Sequence, residues 1–157
     1  MTIDVALNVN GATRHMSVAL DETLLTSLRD RLGLTAAKRG CNQGVCGACT
    51  IEIDGVPMRA CLSLAVNCDG LAVQTIEGAS ADSIMQALQD AFVVHAGLQC
   101  GFCTPGMLVA ARALLRTQSR PSVADVQTAL SGNLCRCTGY RKIIDAVQAA
   151  AQTLHSA

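Results

Sequence analysis

Nine cysteines in 157 residues, at positions 41, 46, 49, 61, 68, 100, 103, 135 and 137, constrain this chain more than any other feature. Such a density implies either a disulfide scaffold or a set of metal ligands. Met1 to Val9 lacks the basic start and apolar run of a secretory signal, and no twin-arginine pair precedes an apolar stretch. A reducing, cytoplasmic setting is therefore expected, periplasmic only if a partner's signal carries the chain. In that setting closely spaced thiols are metal or redox groups rather than staples.

Cys41-x4-Cys46-x2-Cys49 has the spacing of a plant-type ferredoxin loop, in which three thiolates from one tight loop and a fourth from elsewhere hold a 2Fe-2S cluster. Soft sulfur suits iron-sulfur clusters, and small residues let backbone N–H groups turn toward the sulfurs. Gly40, Gly44, Gly47 and Ala48 meet that demand. Spacing does not choose the fourth ligand. Cys61 follows Cys49 after 11 intervening residues and Cys68 after 18, and both are chemically able.

The second constellation is Cys100-x2-Cys103 and, after 31 residues, Cys135-x-Cys137. Each pair is expected just before a helix, so that two helix starts converge on one site. A 2Fe-2S core with four thiolates is an anion of about −2, which helix N-termini favour. The same four thiols could instead hold a tetrahedral zinc ion in an interaction module. Two sets of four leave one cysteine over, and a lone buried cysteine is ordinarily a small hydrophobe, a part that falls to Cys68.

The chain between the cysteines divides into halves. Ile3, Val5, Leu7 and Val9 alternate, Asn10-Gly11 supplies a hairpin turn, and His15 to Leu20 returns. Leu24, Leu25, Leu28 and Leu32, closed by Gly33, predict a helix on that hairpin. Thr50 to Ile53 and Leu71 to Ile76 read as further strands, with Asp54-Gly55 as a turn. From Asp82 the period becomes helical: Ile84, Leu88 and Phe92 share a face and Gly97 closes the segment. Thr104-Pro105 reads as an N-cap and first helical residue, Ser122 and Asp125 as a capping box, and Thr138 or Gly139 as the start of a last helix. The expectation is an α+β chain with a sheet domain over 1–78 and a four-helix bundle over 79–157, the boundary falling near Glu77 to Ala81, where Gly78 and Ser80 interrupt the pattern.

Other functions find little support. Net charge is zero, with no Trp, one Tyr and two Phe, which argues against nucleic-acid binding. No apolar run approaches the ~20 residues that span a bilayer. No phosphate-binding glycine loop or Ser-His-Asp set is present, so no flavin, NAD or hydrolytic site is expected on this chain. His15, His95 and His155 are dispersed and read as surface or packing residues.

Three stretches in order, Lys38-Arg39-Gly40-Cys41-Asn42-Gln43-Gly44-Val45-Cys46-Gly47-Ala48-Cys49-Thr50, Gln99-Cys100-Gly101-Phe102-Cys103-Thr104-Pro105-Gly106 and Gly132-Asn133-Leu134-Cys135-Arg136-Cys137-Thr138-Gly139-Tyr140, resemble the small iron-sulfur subunit of molybdenum hydroxylases. That family includes xanthine dehydrogenase, aldehyde oxidoreductase, carbon monoxide dehydrogenase and 4-hydroxybenzoyl-CoA reductase. The resemblance implies a plant-ferredoxin-like β-grasp domain whose Cys41, Cys46, Cys49 and Cys61 hold an outer 2Fe-2S cluster, settling Cys61 over Cys68. It implies a helical domain whose Cys100, Cys103, Cys135 and Cys137 hold an inner one. It further implies a molybdopterin, in its cytosine dinucleotide form, on a separate large subunit, with Gln99 bonding the pterin and Cys137 on the path from it. Electrons would leave through a medium FAD-binding subunit or a cytochrome or quinone acceptor. The substrate, an aldehyde, purine or N-heterocycle, would be oxidised on the partner, leaving no catalytic residue on this chain. Ala36-Ala37 and Lys142 stand where many relatives carry Gly-Thr and Pro, and neither change touches a ligand.

Overall fold

Asn10 and Gly11 take φ of 53° and 81°, the left-handed pair that a two-residue hairpin turn needs. They join β1 (Thr2–Val9) to antiparallel β2 (Ala12–Ala19) in the computed structural model, which describes residues 1–79 and 81–156. Val5, Leu7 and Val9 bury one face of β1 as the alternation predicts, but Ile3 is exposed at its start, as is Leu20 past the end of the edge strand β2. The helix predicted from Leu24 begins as α1 (Leu24–Thr26), its Thr23 cap accepting from the Thr26 N–H at 3.2 Å, and then widens into a π turn over Ser27–Arg31. Leu24, Leu25 and Leu28 stay fully buried through the change. The wider turn lets Arg29 donate to the carbonyls of Thr35 and Ala37, both at 2.7 Å, which fixes the approach to the first cysteine loop.

β3 (Thr50–Ile53) is where the sequence placed it, and Asp54-Gly55 turns it into β4 (Val56–Arg59), a strand the sequence did not reveal. Pro57 disguises β4, because proline reads as a strand breaker yet is tolerated on an edge. β5 (Ala72–Gln74) is shorter than the predicted Leu71 to Ile76, whose last residue opens a 3-10 turn over Ile76–Gly78. The sheet order is β2-β1-β5-β3-β4, with β1 and β5 parallel and the other pairs antiparallel.

Four helices follow: α2 (Ser83–Val94), α3 (Thr104–Thr117), α4 (Val123–Leu130) and α5 (Arg141–Ser156). Asp82 caps α2 through Met85 N–H at 2.9 Å, and Ser122 with Asp125 forms the expected capping box of α4. Thr104 does not cap α3. Cys103 occupies that position without a side-chain bond, and the Thr104 hydroxyl is buried inside the first turn with no protein partner. The last helix starts at Arg141 rather than Thr138 or Gly139, because Gly139 and Tyr140 are left-handed, at φ 63° and 68°, and form a separate turn. At the other end of α2 the left-handed residue is Ala96, φ 51°, and Gly97 follows it.

Two cores result. Val5, Leu7, Val18, Leu24, Leu28, Ile51 and Val73 pack between sheet and α1, while Met85, Leu88, Phe92, Met107, Val126, Ile143 and Val147 fill the helical bundle. Ala79 belongs to the helical core, and Ser80 lies outside the described residues.

A buried ionic cluster joins the halves. Glu52 of β3 and Arg112 of α3 are 2% and 5% exposed, and Arg112 Nη1 donates to Glu52 Oε2 at 2.7 Å. The same guanidinium holds Asp82 Oδ2 at 2.7 Å, and Arg116 reaches Glu52 Oε2 at 3.0 Å. Removing one partner of a buried pair strands the other charge. Arg112→Met should therefore cost about 3–5 kcal/mol, read by urea denaturation. Burial raises the Asp82 carboxyl, but the hydrogen bonds from Arg112 and the Met85 N–H outweigh it and leave the group below its ordinary value. A depressed folded value means that its stabilisation is complete above the unfolded carboxylate range near ~4 and is lost as pH falls through the folded value. Asp82→Asn, which keeps the cap, should flatten the acid limb of a stability-versus-pH curve.

Candidate functional site: two sets of thiols joined at the interface of the halves

The first thiol set grows from the loop before β3. Cys41 Sγ accepts backbone N–H bonds from Cys46 at 3.3 Å and Gln43 at 3.5 Å. These donors, Cys46 first, draw the Cys41 thiol down to about 6, so the loop is already arranged to hold negative sulfur. A side chain on Gly40 would bring a Cβ to 2.9 Å from Cys46 Sγ, so glycine keeps the sulfur side of this loop open. Cys49 and Cys61 sit deeper, both buried. Burial first, and the neighbouring Cys61 thiol with it, push Cys49 up to about 11.

Cys68 is also buried, but its thiol is raised by burial and then by the Asp54 carboxylate, with no other thiol acting on it. It packs with the sheet core. The geometry sets Cys41 beside Cys46 and Cys49 beside Cys61, and leaves Cys68 aside.

The second set lies between α3 and the turn before α5. Cys100 and Cys137 are exposed, their sulfurs 3.6 Å apart. Cys103 and Cys135 are half-buried, and each thiol acts on the other's titration. Burial pushes Cys103 up to about 12. Burial also acts to raise Cys135, yet the Thr138 hydroxyl and backbone N–H groups outweigh it and bring the thiol below its usual value. The hydrogen bond to Cys100 raises Cys137. Only α3 starts directly at these thiols, since the Thr138–Tyr140 turn stands between Cys137 and α5.

Thiols thus meet in pairs. Among the described residues, no three His, Cys, Asp or Glu side chains gather as one metal ion would require. Two pairs per site match a cluster of two irons, and the soft donor set and inward backbone N–H groups fit the same group. Gln99 is exposed beside Cys100, and His15, His95 and His155 are all on the surface.

The two sets touch through backbone. The Leu134 N–H, one residue before Cys135, donates to the Cys46 carbonyl at 2.8 Å. Buried Asn133 donates through Nδ2 to the Gly47 carbonyl at 3.0 Å and to Thr50 Oγ1 at 3.1 Å. Arg59 bridges Thr50 Oγ1, at 2.7 Å, and the Gly132 carbonyl. Gly47, at φ 72°, has no room for a side chain, because a Cβ there would run into the Gly132 carbonyl and Asn133. Asn133, Leu134, Arg59 and Tyr140 carried no role in the sequence reading. Asn133, Leu134 and Tyr140 lie within a recognised stretch, but a neutral amide, a backbone N–H and a phenol give no pattern of their own.

A family model described as 2Fe-2S iron-sulfur cluster binding domain matches residues 7–66, and one described as 2Fe-2S binding domain matches 75–148. The chain is 48% identical over 145 residues to the nicotine 6-hydroxylase small subunit of Paenarthrobacter nicotinovorans, covering 92% of this chain and 87% of that one. It is 43% identical over 150 residues to the nicotinate dehydrogenase small FeS subunit of Eubacterium barkeri, covering 96% of each. In the crystal structure of quinoline 2-oxidoreductase from Pseudomonas putida 86, one chain superposes with a TM-score of 0.91 at 48% identity, covering 99% of this chain and 97% of that one.

Asn133→Ala removes the buried amide that ties the 132–134 segment to the Gly47 carbonyl and Thr50 Oγ1, while the Thr50 N–H and hydroxyl still donate to that carbonyl. It should cost about 1–3 kcal/mol in chemical denaturation and make the 40–49 loop more susceptible to proteolysis.

Proposed function

The chain belongs to the small iron-sulfur subunits of the molybdenum hydroxylases, and from that membership we propose that it conducts electrons in a fixed order through its two thiol sets. Cys100, Cys103, Cys135 and Cys137 hold the cluster nearer the molybdopterin of a large subunit, and Cys41, Cys46, Cys49 and Cys61 hold the cluster that passes electrons onward. A 2Fe-2S cluster, when bound, takes up and releases one electron with its protein ligands in place.

The observation that supports transfer between the two sets is the 2.8 Å bond from Leu134 N–H to the Cys46 carbonyl. It connects a neighbour of one thiol set directly to a member of the other. Exposed Cys100 and Cys137, with Gln99 beside them, offer the partner-facing end. The division at residues 78 and 79 is part of the same proposal, supported by separate cores on either side. The matches to 2Fe-2S binding domains over 7–66 and 75–148 favour two-iron clusters over a zinc ion in an interaction module.

Nicotine, nicotinate and quinoline stand in the names of the relatives, which supports an N-heterocyclic aromatic as the substrate class on the partner. The cytosine dinucleotide form of the pterin and a cytoplasmic setting complete the reading. Among the described residues no helix is long and apolar enough to cross a membrane.

The purified complex should hold about four iron and four sulfide per small subunit, absorb in the visible and show two distinct EPR signals on reduction. Cys137→Ser should abolish or alter one signal and spare the other. Cys68→Ala should keep both. Loss of iron in the Cys68 variant, or zinc in place of iron at the second set, would contradict the assignment.

A further inference from the structure

Cys135 sits at the centre of a closed loop of hydrogen bonds. Its own N–H donates to the Tyr140 phenol oxygen at 3.0 Å, and that phenol donates onward to the Asn133 carbonyl at 3.0 Å. The Tyr140 backbone N–H donates to Thr138 Oγ1 at 3.2 Å. Thr138 Oγ1 in turn lies 3.0 Å from Cys135 Sγ.

The direction of that last bond follows from the others. Thr138 Oγ1 already accepts from Tyr140, so its single proton is free to point at sulfur. A cysteine bound to iron is a thiolate with no proton to give, so the sulfur can only accept. Tyr140 holds this arrangement at φ 68°, a backbone conformation that tyrosine rarely adopts, and its ring is what bridges back to residues 133 and 135.

We infer that Thr138, oriented by Tyr140, is a positioning residue that raises the reduction potential of the cluster bearing Cys135. The inference rests on the reading of Cys135 as a cluster ligand. With a 2Fe-2S cluster on these four thiolates, entry of one electron would take the iron-sulfide core from +2 to +1 with no bond to the protein broken, and the added negative charge would spread onto the sulfurs. The electron would come from the reduced molybdenum site of the partner and would leave to the other cluster. A hydroxyl dipole with its positive end at sulfur stabilises the reduced state more than the oxidised one. The Cys41 sulfur is served by backbone N–H groups, which side-chain substitution leaves in place. The bond to Cys135 is supplied by a side chain, so a single substitution can tune one cluster without the other.

Redox titration of the assembled complex, followed by EPR on both signals, tests this. Thr138→Val keeps the shape and removes the donor. At a fixed solution potential the reduced-to-oxidised ratio of one cluster should fall about tenfold, a shift of about 59 mV for one electron, while the other cluster is unmoved. Thr138→Ser restores the donor and should return the midpoint toward the native value. If Thr138→Val does not assemble, the smaller Thr138→Ala is titrated instead and should show the same fall. Two intact signals with unchanged midpoints in the variant lacking the hydroxyl, or a serine variant displaced as far as the valine one, would overturn the inference. Failure of the underlying reading looks different: Cys135→Ser would then leave both native signals unaltered.

Discussion

Everything this chain can do with electrons depends on keeping its two thiol sets at one fixed separation, and the contact that fixes it is the backbone bond between Leu134 and Cys46. That bond is short, at 2.8 Å, and it is sheltered by buried Asn133, which holds Gly47 and Thr50 from the same segment. Backbone and amide groups are suited to the task because they carry no net charge and have few ways to rearrange. The buried ion pair of Arg112 and Glu52 acts farther along α3, where it stops the helix from rotating on the sheet. A buried charge pair contributes little net stability compared with apolar packing, yet it tolerates few alternative geometries. The two devices therefore divide the work, one setting the distance and the other the orientation.

Burial differs between the two sets in a way that suits their places in a chain of transfer. Cys49 and Cys61 are buried against the sheet core, while Cys41 and Cys46 lie nearer the surface. In the helical half it is Cys100 and Cys137 that are exposed, on the edge that also presents Gln99, Phe102 and Leu98. An exposed thiol pair with apolar neighbours is costly in a protein that stands alone, and it is stabilised once a partner covers it. This asymmetry suits a chain whose helical edge is covered by a partner.

Much of this was legible in the residues alone, because cysteine spacing and hydrophobic period are local signals. The hairpin at Asn10-Gly11, the capping box at Ser122 and Asp125, and the four helices all follow from short-range rules. The misses share a cause. β4 was hidden by Pro57, whose meaning depends on lying at a sheet edge, a tertiary fact. Thr104 carries the signature of a cap but is displaced by Cys103, because the thiol loop sets where α3 can begin. Thr138 and Gly139 resemble a helix start, whereas the Thr138 hydroxyl serves Cys135 and Tyr140 and the helix begins only at Arg141. The docking residues Asn133 and Arg59 were invisible for a different reason: their partners lie 86 and 73 residues away in sequence, and no local pattern records such a distance.

The places where local rules fail are also the places where the thiol sets are held. Cys103 takes a cap position without capping, Tyr140 takes a left-handed backbone without being glycine, and Thr104 buries a hydroxyl that finds no protein partner. Each costs free energy that the surrounding helical core must offset, on the order of 1–3 kcal/mol for a strained backbone alone. Such costs persist where the rest of the fold over-determines the geometry. That over-determination comes from Phe92, Met107, Ile143 and Val147, which fill the bundle on which the thiol loops rest. The bundle contributes no thiol from the body of a helix; every proposed ligand in this half lies in a loop or at a helix boundary. The core is in this sense a rigid mount, and its apolar packing lets a few strained residues keep sulfur where an electron has to pass.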